Sequence, residues 1–246
     1  MPSTKAIVFD FIGTLTDVED YSMDESKMKL HKALVKVGFN TEPESFDAAY
    51  SHAHEKYRAI RYQELTEVTN AVWISEALTS LGFKTSPEDA RIKTALNVFF
   101  KDFIESFRLR PYAHELLQKA SEKHSVGLVS NFTYSPVIYA GLRRLRINKF
   151  FNAVLVSEEV GWRKPHAKIF QEALKRLNAT TQTTLYVGDS PLEDIKGANA
   201  LGIKTVFVPS QFYTLEFLHE CKQKPDHITK DLCELYRRFE EILECR

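Results

Sequence analysis

Cysteine is scarce in this chain of 246 residues: Cys221, Cys233 and Cys245 lie near the C-terminus, and no two form a CxxC pair. An odd, widely spaced set argues against a disulfide framework or a zinc site and fits a reducing, cytoplasmic compartment. An excess of charge of either sign is also missing. Basic and acidic residues number 33 each, so no overall field favours nucleic acid or an anionic membrane. An anionic small-molecule substrate would have to be caught by local groups. No apolar run approaches the roughly 18 residues of a membrane span, and the first one runs into Asp10 too soon for a secretory signal. Without that signal, "NFT" at 131 and "NAT" at 178 are chance matches to the glycosylation pattern. No internal repeat or low-complexity segment is present. The remaining composition, 43% hydrophobic and 27% charged, is that of an ordinary globular protein. The length suits one large domain, or one domain carrying an insertion. A monomer and a homodimer are equally compatible with it.

Five short runs rich in β-branched or aromatic residues stand out: "AIVFD" (6–10), "SVGLVS" (125–130), "NAVLVS" (152–157), "TTLYVGD" (183–189) and "KTVFVP" (204–209). Their nearly continuous apolar character predicts parallel strands covered on both faces. Helical patterns over 111–123, 135–146, 166–177 and 192–201 have crossover length, and the alternation predicts βαβ units around a parallel sheet. Pro111, Pro136 and Pro165 lie near helix starts, where a missing N–H is tolerated. Residues 18–108 read differently. Four stretches with apolar residues every three to four positions follow one another with no strand signal between them. Twice, at 38–39 and 82–83, a "GF" pair marks a helix end with an apolar contact. The expected organisation is an α/β Rossmann-like core from 1–17 and 109–246, with an inserted four-helix domain at 18–108. "CELYRRFEEILE" at the C-terminus predicts one amphipathic helix closing a face of the sheet.

In an open α/β sheet, ligands bind at the carboxyl ends of the strands. Asp10, Ser130 with Asn131, and Gly188 with Asp189 end three of the predicted strands, and Lys164 follows a fourth in "GWRKPH". One carboxylate can attack an electrophile and a second can help to hold a divalent cation. A hydroxyl, an amide and an ammonium can bind an anion. Carboxylates alone would repel a phosphate; a hard, oxygen-seeking cation such as Mg²⁺ removes that obstacle. Each residue has a plainer reading. Asp10 alone suits a turn, Ser130-Asn131 a strand end, Lys164 a solvated lysine and Asp194 a first-turn helix residue. Their order along the chain favours a site. His52 and His54 point about 200° apart on a helix and do not read as metal ligands. "LRRLR" (142–146) reads as a charged helix face, and the aromatics of 98–107 as packing of the inserted domain.

Taken together, "DFIGTLTD", "VSNFT", the "RKP" lysine and "VGDSPLEDIKGA" resemble the four ordered motifs of the haloacid dehalogenase superfamily, over the whole chain. The resemblance implies a Rossmann-like core with a helical cap that chooses the substrate. It also implies, for most members, Mg²⁺-dependent phosphatase activity through an aspartyl-phosphate. Carried over by position, Asp10 is the nucleophile and Ile12 offers its backbone carbonyl to the metal. Thr14, Ser130 (with Asn131 beside it) and Lys164 hold phosphate oxygens, Asp189 is a metal ligand, and Asp194 orients the metal's surroundings. Gly13 lets the loop turn tightly.

Ile12 departs from the phosphatase pattern, in which an aspartate protonates the leaving group at that position. Dehalogenase members carry a non-acid there, because halide leaves without a proton, and phosphonate-cleaving members recruit a cap lysine. Neither Lys27 nor Lys29 is singled out for that role by its spacing. The fourth motif points the other way, since a metal-free dehalogenase has no use for Asp189. A buried carboxylate facing Asp10 makes most sense with a cation between them. The expectation is therefore a Mg²⁺-dependent phosphatase of small phosphorylated metabolites that lacks the usual acid. A metal-independent 2-haloacid dehalogenase and a non-catalytic phosphometabolite- or phosphoprotein-binding module stand as alternatives.

Overall fold

Strand β1 (Ala6–Phe9) is buried along its whole length, as continuous apolar sequence requires of a central parallel strand. The computed structural model describes residues 3–244, so Cys245 falls outside the described residues. The chain divides into two units, one formed by residues up to Val18 and from Phe107 onward, the other by Glu19–Ser106.

In the first unit, β2 (Thr16–Val18) pairs antiparallel with β3 (Phe107–Leu109). The main sheet adds β4 (Ser125–Ser130), β5 (Ala153–Val156), β6 (Thr184–Gly188), β7 (Lys204–Phe207) and β8 (His227–Ile228). Its six strands run in the order β5-β4-β1-β6-β7-β8, and every pairing is parallel. Phe9 registers with Leu128 of β4 and Val187 of β6, so the residues after β1, β4 and β6 emerge side by side at one edge. Helices Ala113–Lys123, Ser135–Arg144 and Ala167–Arg176 supply the crossovers. One side of the sheet buries Val8, Val129, Leu155 and Tyr186 against Ile169, Phe170 and Ala173.

Three local differences from the sequence reading have physical causes. The helix expected over 192–201 begins with a π turn, Pro191–Ile195, and only Lys196–Ala200 is α-helical. There the Ser190 carbonyl accepts from both Asp194 (3.0 Å) and Ile195 (3.1 Å), which widens the turn. The C-terminal amphipathic stretch is two helices, Leu232–Arg237 and Phe239–Glu244, with buried Leu235, Phe239 and Ile242 as its apolar side. Strands β2, β3 and β8 are only two or three residues long, too short for any periodicity to register.

The second unit is helical: Met23–Lys36, Pro43–Gln63, Asn70–Ser80, Ala90–Phe99 and Lys101–Ser106. The fourth amphipathic stretch is thus two helices that meet at Phe100. Phe99 and Phe100 are both buried and pack edge to face at 4.7 Å. Neighbours on a straight helix point about 100° apart, and the break lets both rings reach the core. The two GF pairs close their helices as read: Phe39 and Phe83 donate back to Leu34 and Leu78, and their rings meet at 5.5 Å. His52 is exposed, whereas His54 packs against Tyr50 and Trp73. Lys27 pairs with Asp47 at 3.6 Å and Lys29 with Asp102, so each already faces a carboxylate of its own unit. Among the described residues, no helix is long and apolar enough to cross a membrane.

Phe39 is fully buried, with the Arg91 guanidinium over its ring at 4.0 Å. Phe39→Ala is expected to destabilise the helical unit by about 3–5 kcal/mol. The check is urea unfolding followed by tryptophan fluorescence in a Trp162→Phe background. Only Trp73, inside that unit, then reports.

Candidate active site

The loop after β1 is built by short-range hydrogen bonds. Asp10 N–H donates to Val187 (2.9 Å), Gly13 N–H to Thr16 (2.7 Å) and Leu15 N–H to Phe11 (2.9 Å). Gly13 has φ +96°, and a Cβ there would lie 2.2 Å from Asp189 Oδ2, so only glycine lets the loop pass beneath that carboxylate. Gly188 plays the same part for Asp194, where a Cβ would sit 2.5 Å from its carboxyl group.

Lys164 is the hub. Its side chain is 1% exposed, and its ammonium donates to Asp10 Oδ1 (2.7 Å), Asp194 Oδ1 (2.7 Å), the Val129 carbonyl (2.9 Å) and the Tyr186 hydroxyl (3.2 Å). Tyr186 in turn donates to Asp194 Oδ1 at 2.9 Å, and Ser190 N–H caps Asp194 Oδ2 at 3.0 Å. Thr14 Oγ1 lies 3.0 Å from Asp10 Oδ2 and 3.2 Å from Asp189 Oδ1. It has one proton for two carboxylates, so it satisfies one of them at a time. Ser210 donates to Asp189 Oδ2 at 2.6 Å.

Asp10, Lys164, Thr14, Asp189 and Asp194 therefore come together. Ser130 ends β4 and is buried, but no hydrogen bond joins its hydroxyl to this network. Asn131 faces another way. Its side-chain amide donates to the Lys164 carbonyl (2.9 Å) and accepts from the Lys164 N–H (2.7 Å), so that amide holds the lysine loop. Ile12 is partly exposed and bridges Thr16 within the loop, its side chain offering no proton.

Carboxylate oxygens of Asp10, Asp189 and Asp194 lie within 4.8 Å of one another, and all three residues are buried. Burial raises the Asp10 carboxyl to about 6; Lys164 opposes the shift and Asp194 adds to it. Asp189 stands well above the usual carboxylate range, first from burial and then from the negative charge of Asp10. For Lys164, burial favours the neutral form but is outweighed by Asp10 and Asp194, which hold it charged. Three acids against one ammonium leave an excess of negative charge that one divalent cation balances, so the donor set fits a hard metal ion.

Sequence reasoning passed over Tyr186, Arg110 and Ser210. Tyr186 carried a signal, because a tyrosine in a fully buried strand needs a partner for its hydroxyl. Ser210 follows β7 and meets the same strand-end rule as Asp10. Arg110 carried none: its guanidinium reaches the carbonyls of Gly13 (2.5 Å), Thr14 (3.3 Å) and Pro209 (2.7 Å), remote partners visible only in the fold.

A parallel sheet gathering a carboxylate, a buried lysine and an acidic loop at its strand ends has Rossmann-like architecture. Residues 7–208 match the haloacid dehalogenase-like hydrolases, and the chain belongs to that family. It is 28% identical over 209 residues to a ribulose-1,5-bisphosphate 5-phosphatase of Halopiger xanaduensis, covering 84% of this chain and 85% of that one. It is also 28% identical over 219 residues to a glyceraldehyde 3-phosphate phosphatase of Methanothermobacter thermautotrophicus, covering 87% and 90%. Among solved structures, a 2-haloacid dehalogenase of Pseudomonas syringae pv. Tomato matches with a TM-score of 0.68 at 20% identity over 98% of each chain, which shows a shared fold.

Charge balance gives two substitutions opposite expected signs. In the metal-free chain, Lys164→Met leaves buried carboxylates unpaired and is expected to destabilise by about 3–5 kcal/mol. Asp189→Asn removes an uncompensated charge and is expected to raise the melting temperature. Protonation favours the folded state here, since the Asp189 pKa is higher folded than unfolded. The gain from Asp189→Asn is thus fully present above the folded pKa and shrinks as pH falls through it. Calorimetric melts in EDTA across pH check both signs.

Proposed function

We propose that this chain is a Mg²⁺-dependent phosphatase of small phosphorylated metabolites. The observation that carries the reading is the set of three buried carboxylates facing one lysine, which balances with a divalent cation. The two phosphatases that the chain resembles support it, as their names record phosphate esters of small sugars. Asp10, Asp189 and the Ile12 carbonyl are the ligands we assign. Magnesium held there would offset the acids' charge and polarise a phosphoryl oxygen.

Asp10 attacks phosphorus, the P–O bond to the substrate alkoxide breaks, and an aspartyl-phosphate forms. Water then attacks that phosphorus and frees inorganic phosphate and Asp10. Lys164 fixes the attacking carboxylate and keeps it ionised, while Thr14 and Ser130 offer hydroxyls to the phosphate. Asn131 keeps the Lys164 loop in place. Ile12 supplies no proton to the departing alkoxide, so good leaving groups such as aryl or acyl phosphates should be favoured over alkyl esters.

Turnover of p-nitrophenyl phosphate with and without EDTA, run beside halide release from 2-chloropropionate, tests the reading. Phosphate release that requires Mg²⁺ and is abolished in Asp10→Asn is expected. EDTA-resistant halide release would overturn it in favour of dehalogenation. Ile12→Asp is expected to raise turnover of alkyl phosphates by up to about 10²-fold, the lower range of general acid–base assistance, with little change on p-nitrophenyl phosphate.

A further inference from the structure

The loop after β7 reaches the acidic cluster through one hydroxyl. Ser210 Oγ accepts from the N–H groups of Phe212 (3.0 Å) and Tyr213 (3.1 Å), while Ser210 N–H donates to the Tyr213 carbonyl at 2.9 Å. With its lone pairs occupied by two backbone donors, the hydroxyl has a fixed direction for its only proton, and that proton meets Asp189 Oδ2 at 2.6 Å. Asp189 has no equally dependable donor, because Thr14 divides its proton between Asp189 and Asp10. The opposite wall of the carboxylate's slot is Gly13, where even a methyl group would collide with Oδ2. Arg110 then ties both walls together, donating to Gly13 and Thr14 on one side and to Pro209, next to Ser210, on the other.

We propose that Ser210 is a positioning residue for Asp189: it holds the carboxylate in the orientation that receives a divalent cation, and Arg110 keeps its loop in register with the Asp10 loop. This rests on the assignment of Asp189 as a metal ligand. Hydrogen-bond partners of ligating carboxylates typically change metal affinity by 10- to 100-fold when removed. A short, oriented hydroxyl donor to a carboxylate is a strong member of that class.

Magnesium binding to the full chain, measured by titration calorimetry, tests it on four proteins: unsubstituted, Ser210→Ala, Ser210→Thr and Asp189→Asn. A dissociation constant raised about 10- to 100-fold in Ser210→Ala, near normal in Ser210→Thr and beyond measurement in Asp189→Asn supports the proposal. The return of affinity with threonine separates a positioned hydroxyl from a general loss of structure, and melting of each metal-free variant confirms that it is folded. Unchanged affinity in Ser210→Ala alongside loss in Asp189→Asn overturns the role of Ser210 and leaves the metal reading standing. Equal binding by Asp189→Asn and the unsubstituted chain, or none by either, overturns the metal reading and the role of Ser210 with it.

Discussion

A buried ammonium organises this protein's chemistry. Lys164 is almost wholly removed from water, and its three protons face four acceptors: two carboxylates, a main-chain carbonyl and a phenol. An unpaired charge at that depth would be prohibitive, and a paired one is stable only with well-formed hydrogen bonds. Each partner comes from a different part of the sheet: Asp10 follows β1, Val129 lies in β4, Tyr186 in β6, and Asp194 in the π turn beyond. The lysine can be satisfied only when these elements are in register, so the charge network and the parallel sheet depend on each other.

The same network explains why the surrounding loops are so constrained. Asp194 can reach Lys164 because the helix after β6 opens with a wide turn and because Gly188 has no side chain to block it. Asp189 can lie over the Asp10 loop because residue 13 is glycine. Asn131 uses its whole amide to hold the main chain of Lys164. This polar apparatus sets the positions of a small number of oxygens at the strand ends, where burial first, and then the neighbouring negative charges, raise the Asp10 and Asp189 carboxyls above their usual range. A divalent cation held there, as proposed, would offset that acidic excess.

The roles of individual residues were less evenly legible. Asp10, Asp189 and Lys164 stood out because acids and a lysine at the ends of apolar runs are chemically conspicuous. Asn131 meets the same rule, and its side-chain amide bonds to the Lys164 main chain, a partner no strand-end pattern specifies. Tyr186, Ser210 and Arg110 were overlooked. Tyrosine in a strand is common, serine in a loop more so, and Arg110 acts through carbonyls distant in sequence.

By itself, the sequence determined the parallel sheet, the helical insertion and which acids and lysine stand at the strand ends, because apolar periodicity and strand-end polarity are local properties. It also settled that position 12 brings no proton donor. Tertiary structure alone decided the partners. Whether a carboxylate is paired, crowded or held by a hydroxyl depends on distances between segments as far apart in sequence as Asp10 and Asp194, and no local pattern encodes those distances. The breaks at Phe100 and within the C-terminal helix belong to the same class. They answer the shape of the core the helices pack against, and that shape exists only once the chain has folded.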